Sequence, residues 1–204
     1  MRKIFIDCGA HCGESILRAK QQFGYDTQVI SFEAVPKLAN ELANIYVNDP
    51  SVQVCNAAVY ITDGTIDINI CQVFTDGSSI LTTLNDNHKA SKVTVPCFDL
   101  SSWITNTFDS NDYIILKLDI EGAEYDVLQK LIDDKTINLI NELWGEWHVG
   151  HIINNLEEDE RIQFALKADK LQRTLENISK PLQIWEAYYT ENAKLVKRPS
   201  SLYE

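Results

Sequence analysis

A chain of 204 residues, 45% hydrophobic and 24% charged, is long enough for one domain around one sizeable core, and its net charge of −12 repels phosphate backbones and opposes a nucleic-acid partner. No apolar run approaches the roughly 18 residues of a membrane-spanning helix, and "MRKIFID" turns polar too soon for a signal peptide. Five cysteines (Cys8, Cys12, Cys55, Cys71 and Cys97) without a C-x-x-C pair oppose a zinc site or a disulfide framework.

The elements alternate. Lys3 to Asp7 reads as a first strand and Ser15 to Phe23 as a helix with Ile16, Leu17, Ala19 and Phe23 on one side. Gln28 to Glu33 is a second strand. Pro36 suits the first turn of a helix whose apolar face is Leu38, Leu42, Ile45 and Tyr46. Val52 to Val59 is a third strand. Thr65 to Val73 then alternates, which predicts an antiparallel insertion with one wet face, and Thr75 to Asn87 is a polar loop. Lys92 to Pro96 is a short strand and Leu100 to Asn106 a short helix. Tyr113 to Asp119 is the most apolar strand, followed by a helix from about Ala123 to Asp133 and a strand from Asn138 to Trp144. Glu157 to Ser179 reads as a long amphipathic helix, and Leu182 to Tyr189 with Ala193 to Val196 as a closing hairpin. Near-continuous apolar strands alternating with helices predict one α/β domain over residues 1–204, or an excised part of a longer chain. The expected architecture is a Rossmann-like, doubly wound, mostly parallel sheet. In such sheets ligands sit beyond the carboxyl ends of the strands, which selects Asp7, Glu33, Asn56, Asp119 and Glu142. The expected location is cytoplasmic.

The opening loop, "FIDCGAHCGES", carries Gly9 and Gly13 but not G-x-G-x-x-G. Asp7 and Glu14 flank it, which is poor electrostatics for a pyrophosphate and suits a phosphate-free ligand with positive charge. Glu33 ends the second strand, where an acid can accept hydrogen bonds from a ribose diol. A cationic ribonucleoside without phosphate describes S-adenosylmethionine, its ammonium near Asp7 and its ribose on Glu33. The alternative for Asp7 and Glu14 is simple capping of the helix.

"LKLDIEGAEYDVL", Leu116 to Leu128, is similar to the signature of the FkbM-like methyltransferases, a branch of the class I enzymes. "FIDCGAHCGES", "SFEAVP" (Ser31 to Pro36), "NAAVYITDG" (Asn56 to Gly64), "GSSIL" (Gly77 to Leu81) and "VTVPCFDLSSWI" (Val93 to Ile104) resemble further family segments in order, with His11 where Asn is common and Ala34 where Pro is common. The resemblance implies a sheet of about seven strands and S-adenosylmethionine-dependent methyl transfer to a hydroxyl, often on sugars or natural products. It implies that Asp7, Gly9, Ala10, Gly13 and Glu33 line the cofactor, that Asn56 and Ala57 lie near the adenine, and that Asp119 lies near the methionine end or the reacting centre.

In "KLDIEGAE", Lys117 and Asp119 share a strand face and pair, while Glu121 and Glu124 fall in the next helix's first turn, where acids favour the dipole. Methyl transfer to a hydroxyl needs a base. His148 is the favoured candidate, oriented by Glu146, with Glu142 at the end of its strand and Asp119 nearby. A histidine in the core or on the surface is the plain alternative, and His88 and His151 are weaker candidates. Asp119 and Glu142 could also supply oxygens to a divalent cation such as Mg²⁺. Trp144 and Trp147 could stack on a sugar, or pack a core or rim. The expected partner is a small-molecule or glycan acceptor. The other readings are a non-sugar hydroxylated metabolite, a nicotinamide-dependent oxidoreductase, and a non-catalytic nucleoside-binding module.

Overall fold

The computed structural model describes residues 1–71, 90–153, 156–185, 188–191 and 194–197. Strand β1 (Lys3–Cys8) lies at the centre of a six-stranded sheet of order β3-β2-β1-β7-β8-β9. Its other members are β2 (Gln28–Phe32), β3 (Val52–Cys55), β7 (Tyr113–Leu118), β8 (Ile140–Gly145) and β9 (Gln183–Ile184), and every neighbouring pair is parallel. The strand order reverses at β1, which makes the carboxyl ends of β1 and β7 the switch point.

Period-two alternation sorts the core onto two faces. Ile4, Ile6 and Cys8 of β1 and Ile114, Leu116 and Leu118 of β7 face one side. There they meet helices α3 (Leu100–Thr107), α4 (Glu124–Asp133) and α6 (Glu158–Asn177) through Ile104, Tyr125, Leu128, Leu171 and Leu175. Phe5, Val29 and Ile115 face the other side and meet α1 (Glu14–Phe23) and α2 (Pro36–Ile45) through Ile16, Ala19 and Leu42. Full burial of each such aliphatic or aromatic side chain stabilises by about 1.5–3 kcal/mol. A covered sheet therefore explains why the strands read as continuous apolar runs.

The alternating segment forms a second sheet, of order β4-β6-β5, from β4 (Ala58–Tyr60), β5 (Gly64–Cys71) and β6 (Ala90–Asp99). Strand β5 runs antiparallel to β6, with Ile68 buried and Asp67 exposed between Thr94 and Lys92 at 2.6 and 2.8 Å. "GSSIL", the whole polar loop from Thr75 to Asn87 and His88 lie outside the described residues.

Among the described residues the mostly parallel central sheet has six strands, in keeping with the expected Rossmann-like, doubly wound architecture. The closing hairpin needs correction: β9 joins the central sheet, while β10 (Tyr188–Glu191) and β11 (Lys194–Lys197) pair with each other in a separate antiparallel sheet. A short helix, α5 (Val149–Ile153), also precedes α6. Among the described residues no helix is long and apolar enough to cross a membrane.

Candidate active site

The loop after β1 is tied to both neighbouring strand ends. The backbone N–H groups of Gly9 and Ala10 donate to Phe32 O at 3.0 and 3.1 Å, and Asp119 N donates to Cys8 O at 3.1 Å. Gly9 has φ of +91°, and a Cβ there would lie 1.9 Å from Asp119 O. Only glycine meets both conditions. His11 follows in the left-handed region at φ +48°, a conformation that Asn tolerates best among non-glycine residues. Gly13 then caps α1, without a side-chain cap.

Glu33, just beyond β2, is 6% exposed and locks this loop to the start of α2. His11 N donates to its Oε2 and Val35 N to its Oε1, both at 2.7 Å. Burial raises the Glu33 carboxyl above its ordinary range against the lowering effect of those two bonds. Each carboxylate oxygen keeps a second lone-pair position, so the group can still accept from a diol. Asn56, at the end of β3, donates to Glu33 O and Ala34 O at 2.9 and 3.2 Å, with Ala57 beside it. The fold thus brings Gly9, Ala10, Gly13, Glu33, Asn56 and Ala57 to one edge.

Asp7 is not part of that accessible edge. Its exposure is 0%, and its Oδ2 accepts from the hydroxyls of Ser15 and Ser31, both at 2.6 Å. Its Oδ1 receives no hydrogen bond among the described residues and lies 3.2 Å from Lys117 Nζ. Lys117, opposite Asp7 in the β1–β7 register, also lies 3.3 Å from Asp119 and donates to Gly9 O at 2.7 Å. Burial opposes the lysine's charge, but Asp7 and Asp119 together hold its pKa above the ordinary value. The expected contact between Asp7 and a ligand ammonium is therefore replaced by a buried anchor. Lys117 has two acidic partners instead of one.

The second half of the site lies at the ends of β7 and β8. Strand β8 runs on to Gly145, whose Cβ would meet Leu118 O at 2.1 Å, so Glu142 does not end its strand. Glu142 pairs with Ile115, four residues short of Asp119 along the sheet. At about 3.3 Å per residue that separates the two by roughly 13 Å. Its carboxylate accepts from Tyr113 Oη at 2.9 Å and Trp144 Nε1 at 3.1 Å. The expected catalytic and metal-ligating roles of Glu142 beside Asp119 are not compatible with this position. Glu146 is the acid at that end.

His148, 9% exposed, sits among four carboxylates. Its Nδ1 lies 2.9 Å from Glu124 Oε1, while its Nε2 lies 3.6 Å from Glu121, 3.7 Å from Asp119 and 3.9 Å from Glu146. Glu124 is fully buried and is itself fixed by the N–H groups of Ile120 and Gly122 at 2.7 and 2.8 Å. The orienting acid is thus Glu124, which the sequence reading assigned to the helix dipole, rather than Glu146. Glu121 is not in the helix; it precedes it at φ +54°. Burial opposes the charge of His148, but the Glu124 bond and the charges of Glu124, Glu121 and Asp119 outweigh it and raise its pKa to about 9. Burial, reinforced by Asp119, Glu124 and Glu146 against His148, pushes Glu121 up to about 7, and burial with Asp119 raises Glu146.

Such a group can hold a proton and release it, and it can also gather a cation. Among the described residues two groups have ligand atoms that all lie within 4.8 Å of one another: His11, Cys12 and Glu14 in the opening loop, and Asp119, Glu146 and His148 here, where Glu146 stands in place of the expected Glu142. Trp147 stacks at 5.3 Å on Tyr125 and lines a groove of about 250 Å³ with Val149, Ala165, Ala168, Asp169 and Gln172. Trp144 instead packs edge-on to Trp185 at 5.7 Å. The side chain of His151 lies outside the described residues.

The family model for the methyltransferase FkbM domain matches residues 7–167. Comparison with curated proteins and with solved structures gives no significant match. The matched span runs from Asp7 through both halves of the site to α6, and the chain belongs to the FkbM methyltransferase family.

Proposed function

We propose that this methyltransferase transfers the methyl group of S-adenosylmethionine to a hydroxyl of a sugar or glycan. The observation that carries the reading is the pairing of two unlike half-sites at the switch point. A glycine loop locked onto Glu33 lies on the β1–β2 side, and a histidine held by a buried glutamate lies on the β7–β8 side. In this reading the ribose diol bonds to Glu33, the adenine lies by Asn56 and Ala57, and the loop from Gly9 to Gly13 passes beneath the nucleoside. With Asp7 engaged by Lys117, the ammonium of the methionine end falls to Asp119, whose side chain is 27% exposed.

Transfer is an in-line displacement. The acceptor oxygen bonds to the methyl carbon as the carbon–sulfur bond breaks, and the sulfonium becomes a neutral thioether. Neutral His148 accepts the hydroxyl proton at Nε2, and Glu124 stabilises the imidazolium formed. The carboxylates around His148 disfavour phosphorylated acceptors and suit neutral hydroxylated ones. The Trp147 groove offers an aromatic face to a sugar ring. A non-sugar hydroxylated metabolite would use the same machinery.

A second reading rests on the spacing of Asp119, Glu146 and His148. These three would hold a divalent cation, which when bound would polarise the acceptor hydroxyl. His148 cannot then be the base, so the two readings separate cleanly. Activity unchanged by chelator removes the cation; activity abolished by chelator and restored by Mg²⁺ or Mn²⁺ removes the histidine base.

Calorimetry with S-adenosylmethionine, with NAD as the comparison, tests the cofactor. Heat with NAD and none with the sulfonium would overturn the reading in favour of an oxidoreductase. Labelled cofactor incubated with a glycan panel and a panel of simple hydroxylated metabolites, read by mass spectrometry, tests the acceptor. Cofactor binding without transfer to either panel would leave a nucleoside-binding module.

A further inference from the structure

Within the opening loop, three side chains that the transfer mechanism does not use stand together. Cys12 is exposed, and its Sγ lies 3.6 Å from His11 Nε2; the other ring nitrogen of His11, Nδ1, lies 3.8 Å from Glu14 Oε2. This is the order of a nucleophile, a base and an orienting acid. The imidazole is carried by a residue held at φ +48° with its N–H on Glu33, so the loop's backbone sets the residue's position. Helix α1 opens immediately afterwards at Gly13 without a side-chain cap, and the positive end of a helix favours an anionic sulfur nearby. Of the other cysteines whose side chains are described, Cys8 and Cys97 are buried and Cys55 is half-buried.

We propose that Cys12 is a thiol-modification site, that small-molecule disulfides are its substrates, and that its modification closes the cofactor loop. His11 Nε2 takes the thiol proton, and the Cys12 sulfur attacks one sulfur of R–S–S–R. A Cys12–S–S–R bond forms as the original S–S bond breaks, and the departing R–S⁻ takes the proton. Cys12 is oxidised and the leaving sulfur reduced, so no further reactant is needed. The adduct then projects from the segment between Gly9 and Gly13. The effect on cofactor binding rests on the reading given above, whereas the reactivity of Cys12 does not.

The test uses the full chain and oxidised glutathione at pH 7, with the site of each mass addition mapped by peptide digestion. Cys12 is expected to react at least about tenfold faster than Cys55 in the unmutated protein, the factor that corresponds to a tenfold larger thiolate fraction. In His11→Asn, which suits the left-handed backbone, Cys12 should slow by about tenfold and Cys55 should not change. Equal rates at Cys12 and Cys55, or a Cys12 rate indifferent to His11→Asn, overturn the proposal. Calorimetry separates the two readings. S-adenosylhomocysteine that binds and protects Cys12 supports the closure, and one that binds without protecting overturns it. If it does not bind at all, the cofactor reading fails while the reactivity of Cys12 is still judged by the rates.

Discussion

The two halves of the site hold their acids in opposite ways. On the β1–β2 side the two buried carboxylates meet fixed partners: Asp7 has two serine hydroxyls on Oδ2 and the Lys117 charge 3.2 Å from Oδ1, and Glu33 has two backbone N–H groups. On the β7–β8 side Asp119, Glu121 and Glu146 converge on one imidazole at 3.6–3.9 Å, beyond hydrogen-bond length. The first arrangement is rigid and its charges are settled before a ligand arrives. The second is frustrated, and its displaced pKa values move upward: the surrounding carboxylates raise His148 to about 9, and burial raises Glu121 to about 7. A binding half needs preorganisation and a reacting half needs groups that can change protonation.

Substitutions on the two sides should therefore fail differently. His148→Ala should lower kcat by about 10²–10⁴-fold, the usual range for a general base, while calorimetric affinity for the cofactor stays within about twofold. A loss under tenfold would remove His148 as the base. Lys117→Met should leave fully buried Asp7 without its countercharge and cost about 3–5 kcal/mol in urea unfolding. A smaller cost would mean that Asp7 takes up a proton or a water instead.

Glu33→Gln probes the rigid half through binding. Removing an ionised acceptor is worth about 1.5–3 kcal/mol, so cofactor affinity should fall by roughly ten- to a hundredfold with kcat nearly preserved. The titrating half should instead respond to pH. If neutral His148 is the base, kcat rises up to about pH 9, and in Glu124→Gln the midpoint should move down toward the ordinary histidine value of about 6.5. Stability should show the same group. A histidine whose folded pKa is raised contributes fully below its unfolded value near 6.5, and the contribution is lost as pH rises through about 9. His148→Gln should flatten that decline in thermal unfolding. The smallest effect is expected at Glu142. Its backbone position lies roughly 13 Å from that of Asp119 along the sheet, so Glu142→Gln should leave transfer within about twofold and chelator sensitivity unchanged. A large loss would return Glu142 to the site.

Much of the rigid half was legible in the chain. Gly9, Gly13 and Glu33 follow strands whose apolar runs mark them, whereas Asn56 falls inside the predicted third strand, Val52 to Val59, which the structure divides at Asn56 and Ala57 into β3 and β4 of two different sheets. Asp7 sits at the strand end that the sequence marks, but its charge partner is not visible there. The lysine that engages it lies 110 residues further on and becomes its neighbour only through the β1–β7 register. The sequence predicts a strand from Asn138 to Trp144 with Glu142 at its end, whereas β8 runs on to Gly145. Gly145 extends the pairing because only a residue without a Cβ fits against Leu118 O. Glu124 looked like a dipole-compensating acid, and nothing local in the sequence links it to His148.

What the sequence determined by itself was the alternation of elements, the two-sided burial of the sheet, and the residues stationed at the glycine loop. These follow from hydrophobic period and turn chemistry, which act over a few residues. The tertiary structure alone decided which charges are neutralised and which are left to titrate. That outcome depends on strand register, burial and the distances between side chains far apart in the chain, and electrostatic pairing is set by those distances and by the local dielectric rather than by sequence neighbourhood.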